Sequence, residues 1–339
     1  MFVSDNASAF QRLFVDKLRS MLSPEQAGAF ILVLANSLQD DDLFTALSED
    51  IASVFDALRR NIENNRLDIT PDDLVVFRAL AKAGIDSLTT WQAVYKDTWQ
   101  MIFNPMRALR PARTSAELID SVHRPFDAAR FNFNMPFLQP EILWEGVCNC
   151  ASMRVLYNKF PFAPWHLIIV PDPDLHLPQY LTGDYHRLAW YLVKQQDDVL
   201  PGFGIGYNSL AACASVNQLH FQSFIREQVL PIELSCWRHN GGTAAYPMRC
   251  VAFETIEESW QQIEDFHNSN QPYNLLYRPD RCYVLPRKMQ GSNGVIERVQ
   301  GAGWIEECGV FNVADKAELE SVSAEELSDC LRSLSVSAL

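Results

Sequence analysis

A row of polar side chains at Gln218, His220 and Gln222 is the first candidate for chemistry in this sequence. On an extended backbone alternate side chains point to the same side, so these three would share one face of a strand. An imidazole can attack phosphorus while neighbouring amides donate hydrogen bonds to the phosphate oxygens. The row is therefore compatible with nucleotidyl transfer through a covalent histidine. The alternative is a strand on which one histidine alternates with polar neighbours, and the spacing alone fits both.

Short polar residues precede this row. They are Asn208 and Ser209, in the run Gly206-Tyr207-Asn208-Ser209, and Ser215. Their backbone amides and hydroxyl groups can hold anionic oxygens. We therefore expect Asn208, Ser209 and Ser215 to bind the substrate beside His220.

Composition excludes several other functions. The chain has 339 residues, of which 48% are hydrophobic, enough for one large domain or two of ordinary size. Its formal charge of -14 argues against a large nucleic-acid surface, because such surfaces are rich in Lys and Arg. No apolar run approaches the roughly 20 residues that span a bilayer. The eight scattered cysteines and the absence of a secretory start predict a soluble, reduced, cytoplasmic protein.

The first part of the chain reads as helical. Apolar residues recur at helical spacing from Phe10 to Leu22 and from Ile51 to Leu58. Thr70 before Pro71 is a helix-start signal, because it combines a capping hydroxyl with proline in the first turn. A linker is expected from Asn104 to Arg113. We therefore predict an all-α N-terminal region at residues 1–115 and a second domain at residues 116–339.

From residue 126 onward, β-rich runs alternate with helical ones between proline-marked turns. The predicted strands are residues 153–157, 166–170, 202–208, 219–225, 249–254, 273–278 and 282–285. The predicted helices are residues 183–195, 256–268 and 324–334. The fold class is therefore α+β.

Longer stretches carry a family resemblance. The segments 206–210 and 214–222 resemble the active site of the GDP-hexose phosphorylases, a branch of the histidine-triad superfamily with the motif His-Leu-His-Phe-Gln. Residues 126–127, 131–134, 246–249 and 272–276 resemble that family in the same order. Asn158-Lys159-Phe160-Pro161 with His166, and later Leu285-Pro286-Arg287, is similar to the diadenosine tetraphosphate phosphorylases, or ATP adenylyltransferases. The resemblance runs from about Phe126 to Val313 and says little about the first hundred residues.

The resemblance implies a histidine-triad-like antiparallel sheet with flanking helices, and roles for particular residues. His220 would be the nucleophile and Gln222 its partner on the transferred phosphate. Asn158 and Lys159 would contact the nucleotide, and Arg287 would meet the distal phosphate or sugar. The implied activity is phosphorolysis of a nucleoside diphosphate hexose, preferably a GDP-hexose, with inorganic phosphate as acceptor. The alternatives are a dinucleoside polyphosphate phosphorylase or ATP adenylyltransferase, and a nucleotide-binding protein that has lost turnover.

Gln218 departs from the motif, because it stands where the family has its first histidine. In the related hexose-1-phosphate uridylyltransferases that position supplies a zinc ligand, which an amide replaces poorly. Cys148 and Cys150 are too closely spaced to form a usual zinc knuckle. We therefore predict no metal and no cofactor, and keep Gln218 as a substrate-binding candidate. His166 either faces the nucleotide or fixes its turn.

The expected partners follow from these assignments. They are a nucleotide or nucleotide-sugar substrate and inorganic phosphate, with neither a nucleic-acid polymer nor a membrane. The superfamily is often dimeric, so the resemblance also allows a homodimer.

Overall fold

The computed structural model describes residues 2–109 and 119–336. The expected boundary between residues 115 and 116, and the end of the expected linker, lie outside the described residues. The helices are α1 Ala7–Ser20, α2 Ala27–Ser37, α3 Asp41–Glu63, α4 Pro71–Ala83, α5 Gly183–Gln196, α6 Ile256–Asn268, α7 Trp304–Glu307, α8 Glu318–Ser321 and α9 Ala324–Leu334. The strands are β1 Gln92–Lys96, β2 Trp99–Phe103, β3 Ile142–Cys148, β4 Ala151–Tyr157, β5 Leu167–Pro171, β6 Phe203–Asn208, β7 Phe221–Ile225, β8 Val251–Phe253, β9 Tyr273–Arg278, β10 Arg281–Pro286 and β11 Val310–Val313.

The predicted helical N-terminal region is present as α1 to α4. Helix α4 begins as expected, with the Thr70 side chain accepting a hydrogen bond from the Asp73 amide and Pro71 in the first turn. Phe30, Phe55 and Phe77, from α2, α3 and α4, pack with ring centroids 5.4 to 6.0 Å apart. Because this apolar contact joins three helices, they form one packed unit.

A hairpin follows these helices and corrects the expectation that residues 1–115 are all helical. Strand β1 pairs antiparallel with β2, and β2 pairs in parallel with β11. The partner β11 lies about two hundred residues later in the sequence. Local periodicity gives no sign of such a distant pairing, so the sequence analysis missed the hairpin.

The main sheet is antiparallel, as predicted, with strand order β3-β4-β5-β7-β6-β9-β10-β8. Helices α6 and α9 and strand β9 have the predicted bounds. One face of the sheet packs into the main hydrophobic core, which includes Val155, Ile169 and Phe221 of the sheet and Leu192 of α5. Within each strand, the residues immediately before and after these core positions point to the opposite face, because side chains alternate along a strand.

No helix in the described residues is both long enough and apolar enough to cross a membrane.

Candidate active site

A cavity of about 310 Å³ opens on the second face of the main sheet. Its wall brings together six of the predicted site residues, which are Asn158, Lys159, Asn208, Ser215, His220 and Gln222. They come from the end of β4, the end of β6, the loop after β6 and the start of β7. The sheet therefore gathers side chains that are up to 64 residues apart in sequence around one space.

The His220 ring is held in one tautomer by the backbone. Its Nδ1 lies 2.7 Å from the carbonyl oxygen of Gln218. A carbonyl only accepts hydrogen bonds, so Nδ1 carries the hydrogen and the lone pair of the neutral ring is on Nε2. Burial lowers the pKa of His220 to about 4, although the Gln218 carbonyl opposes this shift. At neutral pH the cavity wall therefore holds an uncharged imidazole with a free lone pair.

Trp304, the first residue of α7, orients two amides of the cavity wall. Its indole Nε1 donates to Oε1 of Gln222 at 2.7 Å, and its backbone nitrogen donates to Oδ1 of Asn208 at 2.8 Å. Both amide oxygens are thereby occupied, and the NH₂ groups of Gln222 and Asn208 remain as donors. Donors fixed in this way suit phosphate oxygens on which negative charge develops.

A glycine makes room for this indole. Gly206 pairs with Gln222 across β6 and β7, and a Cβ atom at Gly206 would overlap the Trp304 ring. The ring also stacks on Phe224, with centroids 5.0 Å apart. Gly206 therefore lets the indole lie flat beside the Gln222 side chain.

Gln179 fixes the backbone of the site, and the sequence analysis missed it. Its Oε1 accepts a hydrogen bond from the His220 amide at 2.9 Å, and its Nε2 donates to the Asn208 carbonyl at 2.8 Å. The side chain is buried, in the loop before α5. One amide thus ties the end of β6 to the start of β7.

Gln218 does not line the cavity with His220 and Gln222. Strand β7 begins only at Phe221, so of the three expected residues only Gln222 belongs to it, and Gln218 lies in the bend before the strand. The Gln218 side chain turns away and accepts a hydrogen bond from the Phe133 amide at 2.7 Å, and its Nε2 has no partner. Gln218 holds the segment 131–134, whose Phe131 and Phe133 line the cavity.

Ser209 and Arg287 are not among the residues that line the cavity. The Ser209 hydroxyl accepts a hydrogen bond from the Tyr273 amide at 3.1 Å. Arg287 is 1% exposed, and its Nη1 lies 2.8 Å from Oε1 of the equally buried Glu307. In this structure Ser209 secures the end of β6, and Arg287 belongs to a buried ion pair.

The helical region supports the nucleotide-contacting candidates. Lys159 Nζ lies 2.6 Å from Oδ1 of Asp73 in α4, and Asn36 of α2 donates to the Asn158 carbonyl at 2.9 Å. These contacts lie where β4 ends and its chain turns toward β5. The helices therefore hold Asn158 and Lys159 at the cavity.

His166 was expected either to face the nucleotide or to fix this turn, and its contacts agree with the second role. The ring is fully buried, with Nδ1 3.3 Å from the Phe162 amide nitrogen and Nε2 3.3 Å from Nδ2 of Asn158. Burial lowers the pKa of His166 to about 3, so the ring is uncharged at neutral pH. It is not among the residues that line the cavity.

Charged and aromatic residues to which the sequence analysis gave no role in the site also line the wall. Arg107 and Glu306 line it, as do Glu141 and the rings of Phe131, Phe133, Phe137, Phe160 and Phe162. Burial raises the pKa of both carboxyl groups, that of Glu141 to about 7. In residues 2–109 and 119–336, no three His, Cys, Asp or Glu side chains cluster as a metal site.

Comparison with known structures identifies the class of fold. The crystal structure of yeast Ap4A phosphorylase with Ap4A matches with a TM-score of 0.50 and 17% sequence identity, over 79% of this chain and 98% of that one. At this identity the likeness concerns the fold alone. It agrees with the predicted α+β fold and its antiparallel sheet.

Sequence comparison identifies the family that the chain resembles. Residues 96–224 match the family model described as GDPGP1-like, N-terminal domain. The chain is 29% identical over 206 residues to GDP-L-galactose phosphorylase 2 of Arabidopsis thaliana, covering 50% of this chain and 47% of that protein. It is 33% identical over 130 residues to GDP-D-glucose phosphorylase 1 of Homo sapiens, covering 36% and 33%. The predicted resemblance to the GDP-hexose phosphorylases is confirmed, and the matches span about half or less of these relatives.

Proposed function

We propose that this protein is a phosphorylase-type nucleotidyltransferase that transfers a nucleotide from a nucleoside diphosphate hexose, preferably a GDP-hexose, to inorganic phosphate. The observation that carries the proposal is the tautomer of His220, whose Nδ1 is bound by the Gln218 carbonyl at 2.7 Å. That bond leaves a lone pair on Nε2 in a cavity lined by amide donors. The names of the similar proteins support the choice of substrate.

The reaction has two steps at His220. Nε2 attacks the phosphorus next to the nucleoside, so an N–P bond forms while the bond from that phosphorus to the bridging oxygen breaks. The hexose leaves with its phosphate and with the electrons of the broken bond. A phosphate oxygen then attacks the same phosphorus, the N–P bond breaks, and a nucleoside diphosphate is released.

Three features support this chemistry. Burial keeps the imidazole uncharged before the attack, since its pKa is lowered to about 4. The Nδ1–H bond to the Gln218 carbonyl stabilises the positive charge that the ring gains when Nε2 bonds to phosphorus. The NH₂ groups of Gln222 and Asn208 donate to the phosphoryl oxygens, and the exposed hydroxyl of Ser215 lies on the same wall.

The test is a search for the covalent intermediate. The protein is incubated with GDP-glucose labelled in the phosphate next to guanosine, without inorganic phosphate, and quenched in base. We expect a label on the protein that is stable in base, labile in acid and absent from His220→Ala. His123→Gln, at an exposed histidine outside the cavity wall, is the matched control and should be labelled normally. An unlabelled protein that still turns over GDP-glucose would falsify the covalent step.

Asn158 and Lys159 favour a second candidate substrate, because both line the cavity and resemble the tetraphosphate phosphorylase motif. Phosphorolysis of Ap4A, GDP-glucose, ADP-glucose and UDP-glucose should therefore be compared at equal concentration. Nucleotide binding without phosphorolysis of any of these would support a binding protein that has lost turnover. The homodimer and the cytoplasmic location stay predictions.

A further inference from the structure

An apolar strip leads from Gln222 across the sheet. Gln222 pairs with Ile168, Ile168 with Leu156, and Leu156 with Ile142. Residues that pair directly across strands share a face, so these side chains form one line. Three strand spacings of about 4.8 Å place Ile142 about 14 Å from Gln222. Leu156, Ile168 and Gln222 of this line are on the cavity wall. A nucleoside monophosphate can therefore lie along it with its phosphate at Gln222 and its base beyond Leu156, on the side of Ile142.

Aromatic side chains line the cavity beside this strip, from Phe133 next to His220 to Phe131 and Phe137. Phe131 and Phe137 line the cavity, yet they are 48% and 63% exposed. Their ring centroids lie 6.3 Å apart, and Phe133 lies 6.0 Å from Phe131. Exposed phenylalanine rings on a cavity wall offer surfaces on which a nucleobase stacks.

Glu141 lies at the Ile142 end of the strip, as the residue immediately before Ile142. It lines the cavity and makes no hydrogen bond or ion pair with any described residue. The nearby Lys159 is already paired with Asp73 at 2.6 Å. Burial without a direct partner agrees with the raised pKa of this carboxyl. A ligand with two adjacent N–H donors would supply what Glu141 lacks.

We propose that Glu141 selects guanine by accepting hydrogen bonds from its N1–H and 2-amino group while the base lies on the apolar strip. This inference rests on the proposed function, since it assumes that the phosphate binds at Gln222 and His220. The two donors of guanine match the two oxygens of a carboxylate. Adenine places an acceptor, N1, at the corresponding position, so it cannot supply the two donors that pair with the ionised carboxylate.

The experiment measures the binding of GDP, IDP and ADP to the full chain by titration calorimetry. IDP lacks only the 2-amino group of guanine. We expect the protein to bind GDP more tightly than IDP or ADP. In Glu141→Gln the affinity for GDP should fall roughly 10- to 100-fold, because a charge-assisted pair of hydrogen bonds is lost. The preference for GDP over IDP should disappear at the same time.

Two further variants separate recognition from folding. Glu141→Asp keeps the charge but shortens the side chain, so it should retain a preference for GDP at reduced affinity. Glu257→Gln, at an exposed position in α6, should bind all three nucleotides normally. Equal weakening of GDP, IDP and ADP by Glu141→Gln, or no change in any of them, would overturn the inference.

These binding measurements do not depend on turnover, so they distinguish the inference from the proposed function. A protein that prefers GDP through Glu141 but forms no label on His220 would retain the inference and lose the covalent mechanism. Suppose instead that His220 is labelled, but that the unmodified chain and Glu141→Gln both bind GDP and ADP equally well. The covalent mechanism would then stand and the inference about Glu141 would fail.

Discussion

Trp304→Phe tests whether a buried indole controls catalysis through Gln222. The substitution removes the Nε1–H that donates to Gln222 at 2.7 Å and leaves the backbone bond to Asn208 in place. The remaining phenyl ring can still stack on Phe224. The Gln222 amide then loses the contact that directs its NH₂ group to the cavity. We therefore expect a lower kcat in a protein that still folds.

The size of the effect follows from the type of bond. A neutral hydrogen bond contributes about 0.5–1.5 kcal/mol, so kcat should fall about 2- to 12-fold if that energy is lost in the transition state. Leaving the nearly buried oxygen of Gln222 without a partner should lower the free energy of unfolding by about 1–3 kcal/mol. Gln222→Ala removes the donor itself, and loss of such a group costs about 100- to 1000-fold in kcat.

The assay is a double-mutant cycle on phosphorolysis of GDP-glucose, with urea denaturation to confirm folding. If the indole acts through Gln222, Trp304→Phe has no further effect on kcat once Gln222 is replaced by Ala. Gln222→Ala and the double variant should then share the same kcat. A decrease of the same factor in both backgrounds would refute this reasoning and show that Trp304 acts through packing alone.

Three other predictions concern stability and pH. Gly206→Ala should lower the free energy of unfolding by about 1–3 kcal/mol, because the added Cβ overlaps the indole. Gly301→Ala is the control and should leave the free energy of unfolding unchanged, because a Cβ there meets no atom within 4 Å. Urea denaturation measures both. In the same assay, Arg287→Met should lower the free energy of unfolding by about 3–5 kcal/mol and leave the KM for GDP-glucose unchanged. The double variant Arg287→Met with Glu307→Leu should recover most of that free energy. A raised KM at normal stability would instead place Arg287 at the substrate. The lowered pKa of His220 predicts that kcat/KM falls only as the pH approaches about 4, where the imidazole of the free protein takes up a proton. A fall centred near the ordinary value of 6.5 would contradict that assignment.

The sequence predicted those parts of the fold that local patterns determine. Helix 256–268 has a capping threonine before it and acidic residues in its first turn, and it forms with the predicted bounds. The hairpin at residues 92–103 pairs in parallel with the distant strand β11. The sequence around the hairpin gives no sign of that partner. Short-range periodicity therefore identified elements but not their long-range partners.

The candidate site divides in the same way. His220 and Gln222 are two residues apart, and the motif around them could be recognised from the sequence. Trp304 lies 82 residues from Gln222, and Gln179 lies 41 residues from His220. No local signal distinguishes these positioning residues from an ordinary core tryptophan or loop glutamine. Arg287 shows the limit of local sequence in another way, because a basic residue after a strand resembles a phosphate ligand, whereas in the structure its Nη1 lies 2.8 Å from the buried Glu307.

Gln218 stands where the GDP-hexose phosphorylases that the chain resembles have a histidine, and its side chain contacts the cavity wall rather than the nucleophile. The His220 tautomer depends on the backbone carbonyl of residue 218, which is present whatever side chain that residue carries. The Gln218 side chain instead holds the Phe133 amide, and thereby the aromatic segment 131–134. Its unpartnered Nε2 is the cost of that arrangement. A glutamine at this position is therefore compatible with a nucleophilic His220. Its main effect should be on how the base fits against the aromatic segment of the cavity wall.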